Sequence, residues 1–292
     1  MDAAELLKKV QQVDISTRSL SDRIFSGEYQ SAFKGRGMAF AENREYQPGD
    51  EVRTIDWNVT ARTGTPHVKV FEEERELTVF LLIDVSASVQ GGTRERTQMD
   101  LISELSAILA FSAIGNSDKV GAVLFSDRIE KYIPPGKGRS HVLRMVRDIL
   151  DCRPQGQGSD VAKALQHFIT AMRKRTVAFL ISDFKGVETD GNLETLLRRA
   201  GRRHDLVALH TDDPLNRDMP SLGWVQMEDP ESGTWRWRNT SSRLFQKSWK
   251  KNSLHHRQEV AKITAKAGVD CAHLSTEASI VPPLLKLFHG RA

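Results

Sequence analysis

The chain has 292 residues, 39% hydrophobic and 27% charged, and a chain of this length buries about 75% of its unfolded surface, so it folds without a disulfide or metal staple. With 42 Lys and Arg against 38 Asp and Glu its net charge is +4, which permits an acidic partner without requiring nucleic acid. The two cysteines, Cys152 and Cys271, have no CxxC spacing and no His pair beside them, which excludes a disulfide scaffold and a zinc ribbon and points to a reducing compartment.

Residues 1–13 are charged and helix-like, without the apolar region of a signal peptide. The longest apolar runs, 79–83 and 177–181, fall short of the ~18 residues a membrane span needs. A cytoplasmic location is therefore expected. One or two short amphipathic helices are predicted within 3–26, burying Leu6, Leu7, Val10, Val13, Leu20 and Ile24. Residues 35–76 then change in texture, with Gly, Arg and acids between β-like runs. Gln47-Pro48-Gly49-Asp50 reads as a turn, because Pro presets φ and Gly supplies φ > 0. Residues 67–71 read as a strand. Residues 1–76 are thus expected to form an N-terminal helix followed by a small β-rich segment, with 30–76 packed on the edge of a larger sheet.

From residue 77 apolar runs alternate with helix-length segments. The run 77–85 ends in Asp and suits a parallel strand covered on both faces. A helix is predicted over 95–114, with Leu101, Leu105, Ile108, Leu109 and Ser112 at helical spacing. A strand follows at 120–125, with 128–133 as its pairing partner, then helices at 140–151 and 159–172. A second apolar run at 176–181 ends in Ser182-Asp183. A helix over 193–202 and a strand over 205–210 continue the alternation. Residues 224–238 read as a hairpin insert, within 222–240. A long helix over 241–267, a strand over 269–274 and a helix over 280–289 complete the chain. This alternation argues for a doubly wound, mostly parallel α/β sheet over 77–292.

Open α/β sheets bind ligands at the carboxyl ends of their strands. Asp84, Ser86 and Ser88 stand at such an end, at i, i+2 and i+4, where alternate residues of an extended backbone point the same way. Gly158-Ser159-Asp160 offers a hydroxyl at the start of a helix, and Asp183 a carboxylate after the second apolar strand. Oxygen ligands without thiol or imidazole suit Mg²⁺ or Mn²⁺. The competing reading of Asp84, Ser86 and Ser88 is helix capping.

Asp-x-Ser-x-Ser after a buried strand, a later hydroxyl loop and a later strand-terminal Asp resemble the metal-ion-dependent adhesion site of von Willebrand factor A domains. Asp84, Ser86 and Ser88 match its first loop, Ser159 replaces the usual Thr of the second, and Asp183 matches the third. Gly35-Arg36-Gly37, Phe40, Arg44-Glu45-Tyr46-Gln47-Pro48-Gly49-Asp50, Arg53, Ile55-Asp56-Trp57 and Ala61-Arg62 resemble a bacterial domain-of-unknown-function family. Its von Willebrand factor A-like domain is often encoded beside a MoxR-type AAA+ ATPase. The resemblance implies a von Willebrand factor A-like (Rossmann-type) fold and a metal site at Asp84, Ser86, Ser88, Ser159 and Asp183. It further implies a non-enzymatic binding module that grips an acidic residue of a client protein and partners such an ATPase.

Other segments compete for a role. Asp56 with Arg53 and Arg62 reads as a turn-fixing salt bridge, Asp50 as a turn cap, and Trp57 as packing. Residues 235–257 carry Arg236, Arg238, Arg243, Lys247, Lys250, Lys251 and Arg257 and no acid, interleaved with Trp235, Trp237, Phe245 and Trp249. Single-stranded nucleic acid is one reading of that pattern. The favoured one is a basic face for an acidic partner, with the aromatics turned inward. His255 and His256 read as surface or packing residues, and both cysteines as core. No Walker A, dinucleotide or G-x-S-x-G pattern is present. An aspartyl-phosphate phosphatase with Asp84 as nucleophile is the remaining enzyme reading; Ser86 stands where its general acid is wanted.

Overall fold

The computed structural model describes residues 38–73, 77–91, 96–156, 158–186, 191–228 and 234–291. The helices expected within 3–26 lie outside these residues. The chain divides into a small unit spanning 34–77 and a larger one that includes 78–292.

The small unit contains β1 (Met38–Glu45), α1 (Trp57–Thr63) and β2 (His67–Glu73). β1 and β2 pair antiparallel. The turn between β1 and α1 is fixed by Asp50, which accepts the Gln47 N–H at 2.8 Å and holds Arg44 through two hydrogen bonds of 2.7 and 2.8 Å. The helix α1 was not expected from a segment rich in β-branched residues. Its ends explain it: Asp56 accepts the N–H groups of Asn58 and Val59, and Gly64 closes it at φ 76°, a left-handed conformation glycine adopts without cost. Asp56 therefore serves as a cap, and its ion-pair partner is Lys69 at 3.6 Å, in place of the expected Arg53 or Arg62. Trp57, expected to pack, is 68% exposed.

The larger unit follows in chain order as β3 (Thr78–Asp84), α2 (Ala87–Gln90), α3 (Gln98–Gly115), β4 (Lys119–Phe125), β5 (Ile129–Gly136), α4 (Arg139–Leu150), α5 (Val161–Ala171), β6 (Val177–Ser182), α6 (Gly191–Arg203), β7 (Asp205–Asp212), α7 (Pro214–Arg217), β8 (Trp224–Glu228), β9 (Trp235–Asn239), α8 (Arg243–Ala267), β10 (Asp270–Ser275) and α9 (Val281–His289). The main sheet has the order β10-β7-β6-β3-β4-β5. All neighbours are parallel except the β4–β5 pair. β8 and β9 form the expected hairpin.

Both faces of the sheet are covered, which is why β3 and β6 are apolar at nearly every position. Phe80, Leu82, Phe125, Ala178 and Leu180 join α5, α6 and α8 in one continuous core. Phe80 stacks on Phe168 at 5.6 Å. Gly121, opposite Phe80 in the register, makes room for that ring: a Cβ there would stand 3.0 Å from Phe80 Cδ2 and 2.9 Å from the backbone N of Pro135. The other face packs on α3. That helix is long and apolar enough to cross a membrane by length and composition, but 72% of it is buried within the fold. The expected cysteine cores are not found: Cys152 is half-buried and Cys271 exposed.

The strand order reverses at β3, which lies between β4 and β6. The carboxyl ends of β3 and β6 therefore flank the crevice where this architecture places its ligands.

Candidate metal centre

Asp84 ends β3 with no exposed surface, and both of its carboxylate oxygens accept hydrogen bonds. Its Oδ1 accepts the Ser86 N–H at 3.0 Å. Its Oδ2 accepts hydroxyl hydrogen bonds from Ser159 at 2.7 Å and Ser182 at 2.6 Å. The Ser86 and Ser88 hydroxyls meet at 3.1 Å. Ser86 is buried and Ser88 half-buried. The first loop and the second, 75 residues apart, are thus joined through one carboxylate.

The second loop is anchored independently. Glu130 Oε1 accepts the Ser126 hydroxyl at 2.5 Å and the N–H groups of Gln155 and Gly156 at 3.0 and 2.9 Å. Asp160 then caps α5 by accepting the Lys163 N–H at 2.8 Å. Ser159 is delivered by a loop tied down on both sides.

The third loop begins where β6 ends. Ser182 accepts the Phe184 N–H at 2.8 Å, and Phe184 adopts φ 54°. This non-glycine left-handed residue turns the chain so that the Lys185 N–H reaches Asp183 Oδ1 at 3.0 Å. Asp183 is 1% exposed, and its Oδ2 is buried without a hydrogen-bond partner. Such an atom costs free energy unless a cation balances it. The nearest cation, the Lys185 ammonium, stands off at 3.7 Å. The Asp183 carbonyl accepts a hydrogen bond from His256 Nε2 at 2.8 Å, which fixes that ring's tautomer and gives it a place in the third loop beyond general packing. His256 meets His210 edge-on at 5.6 Å.

Electrostatically the centre is under tension. Burial and the neighbouring Asp183 charge push the Asp84 carboxyl up to about 6, against the hydrogen bonds from Ser182 and Ser86. Two buried carboxylates at neighbouring strand ends invite a shared positive charge. Burial, with His273, His256 and Arg257 nearby, keeps His210 well below the ordinary imidazole range. Among the described residues no three His, Cys, Asp or Glu side chains cluster as metal ligands. The donors at the centre are two carboxylates and hydroxyls, and this set fits a hard cation of the Mg²⁺ type, which tolerates few protein ligands and keeps water on the rest.

All five residues expected to form the site are thus brought to one end of the sheet. Ser182 was missed as a participant: it read as the last residue of an apolar strand, although a hydroxyl there, next to Asp183, is itself a signal. Lys185 was missed because nothing in its local sequence shows where its ammonium lies.

The basic aromatic segment differs from its expected form. Trp249 does turn inward, donating from Nε1 to the Leu215 carbonyl at 2.7 Å, and stacks with Phe245. Trp235 and Trp237 do not: they are 56% and 62% exposed, as is Trp224 at 68%. The register sets Trp237 opposite Gln226, and Trp224 opposite Asn239, so all three tryptophans share one face of the hairpin.

The strand order and the antiparallel edge strand define a doubly wound, mostly parallel α/β domain, the architecture that the von Willebrand factor A resemblance implies. Residues 42–259 match the protein family of unknown function DUF58, and the chain belongs to that family. It is 30% identical over 293 residues to the uncharacterized proteins Mb1516 of Mycobacterium bovis and Rv1480 of Mycobacterium tuberculosis, covering 100% of this chain and 91% of each. Among solved structures it is similar to the conserved hypothetical protein BatB of Bacteroides thetaiotaomicron, with a TM-score of 0.51 and 14% identity over 74% of this chain and 98% of that one. That likeness concerns the fold.

Proposed function

We propose that this chain is a metal-dependent protein-binding module of the cytoplasm, not an enzyme. The observation that carries the reading is Asp183 Oδ2, buried beside Asp84 with no hydrogen-bond partner. Asp84, Ser86, Ser88, Ser159 and Asp183 would hold Mg²⁺ or Mn²⁺, directly or through water. The cation, when bound, supplies an open coordination position for an Asp or Glu of a partner. Ser182, Glu130 and His256 keep the three loops in place.

The family resemblance suggests a MoxR-type AAA+ ATPase as one partner, with this chain as its adaptor in protein maturation or complex assembly. Affinity for a MoxR-type AAA+ ATPase, measured in Mg²⁺ and again in EDTA, is expected to fall at least about tenfold on chelation, since a charge-assisted contact to carboxylate is lost. Asp183→Ala is expected to show the lower affinity in both buffers. Equal affinity with and without metal would refute the reading.

A second reading rests on the outward tryptophans. A face carrying three exposed tryptophans, beside a basic segment without acids, suits stacking by a single strand of nucleic acid. Oligo(dT) is then expected to quench tryptophan fluorescence with an affinity that falls steeply with salt. The Trp235→Ala, Trp237→Ala double variant should lose most of it. Absence of quenching at low salt removes this reading.

A further inference from the structure

The ammonium of Lys185 occupies a position that hydrogen bonding to Asp183 does not account for. It lies 3.7 Å from Asp183 Oδ2, close enough to offset charge and too far for a hydrogen bond. Its actual hydrogen bond is to Asn216 Oδ1 at 2.8 Å. Asn216 is itself oriented, because its Nδ2 donates to Asp212 Oδ1 at 2.9 Å. Asn216 belongs to α7 and Asp212 ends β7, so a neighbouring strand end holds the lysine off the carboxylate. The Asp183 side chain is 2% exposed and that of Lys185 32%. The lysine thus spans from the buried carboxylate to the rim of the site.

We propose that Lys185 is a tethered counter-cation that sets the affinity of the centre for divalent metal. The inference rests on the metal-binding reading above. In the metal-free protein its charge partly balances the buried Asp183 carboxylate, which otherwise faces Asp84 without relief. A divalent ion at the same carboxylates meets that ammonium as a like charge, and its binding is weakened accordingly. The Asn216–Asp212 chain tempers the effect by keeping the ammonium from closing on Asp183 Oδ2. Lys185 therefore works in two directions: it stabilises the metal-free fold and lowers the metal's affinity, so that the ion is held weakly until a partner carboxylate adds its own charge. A lysine with a purely structural role would do only the first.

The test uses the whole 292-residue chain, with Mn²⁺ and Mg²⁺ alone as probes in calorimetric titrations and thermal unfolding in EDTA as the second readout. Lys185→Met and Lys185→Gln remove the charge while keeping much of the side chain, and Lys185→Arg retains it. Both neutral variants are expected to bind metal about tenfold more tightly than the wild type, a modest figure for a half-exposed ammonium. They should also unfold at lower temperature in EDTA. Lys185→Arg should stay close to the wild type in both readouts. If the neutral variants bind metal no more tightly than the wild type, the counter-cation role is wrong and the metal site stands. If neither the wild type nor any folded variant binds either ion, the metal reading itself fails, and this inference with it.

Discussion

Saturating Mg²⁺ is expected to raise the unfolding midpoint of the 292-residue chain, and Asp84→Asn to abolish the rise. A ligand at about 100 times its dissociation constant adds roughly 2.7 kcal/mol to the folded state. For a chain of this size that is a midpoint rise of about 5 °C. The substitution acts through geometry as well as charge. Asp84 Oδ1 faces the Ser86 N–H, and Oδ2 receives the Ser159 and Ser182 hydroxyls, so an amide nitrogen in the Oδ2 position turns both hydroxyls from donors into acceptors. The variant therefore loses a charge the cation requires and rearranges the junction between the first two loops. Differential scanning calorimetry in Mg²⁺, in Mn²⁺ and in EDTA measures both effects. An equal rise in the variant would show that the metal acts elsewhere.

The second large effect is on pH dependence, and its sign reverses with metal. The Asp84 carboxyl lies at about 6 in the fold against 3.8 for the free side chain. Between those values the native state binds more protons than the unfolded chain, so this group's contribution to stability falls as pH rises through the window. Without metal, the wild type should lose stability between about pH 4 and 6 relative to Asp84→Asn, which has no proton to release there. Cation binding needs the ionised carboxylate, so the Mg²⁺-induced rise should be small at pH 5 and larger at pH 7.5. Unfolding curves of both proteins across this range, in EDTA and in Mg²⁺, test the two signs together. A metal effect that grows toward acid pH would contradict the assignment of Asp84.

Much of this architecture was legible in the chain itself. β3 and β6 read as unbroken apolar runs because helices cover both sides of the sheet, and each run stops where the backbone emerges at Asp84 or Ser182-Asp183. Site residues at strand ends inherit that legibility. The helix α1 was hidden by its composition, Trp57, Asn58, Val59 and Thr60 being weak helix formers; two capping interactions decided the matter. The hairpin tryptophans were misjudged for another reason. Alternation sets Trp235 and Trp237 on one face of β9, but local sequence does not say whether another element covers that face. Lys185 gives no local signal, and His256 reads only as a surface or packing residue, because each reaches the centre through a contact distant in sequence, to Asn216 and to the Asp183 carbonyl respectively.

The most direct test of the central claim is the anomalous difference density of a crystal of this chain grown in Mn²⁺. One strong peak is expected at the carboxyl end of β3, among Asp84, Ser86, Ser88, Ser159 and Asp183, and none there in crystals of Asp84→Asn. A wild-type map with no peak there, with Asp183 Oδ2 paired instead to the Lys185 ammonium, would contradict it.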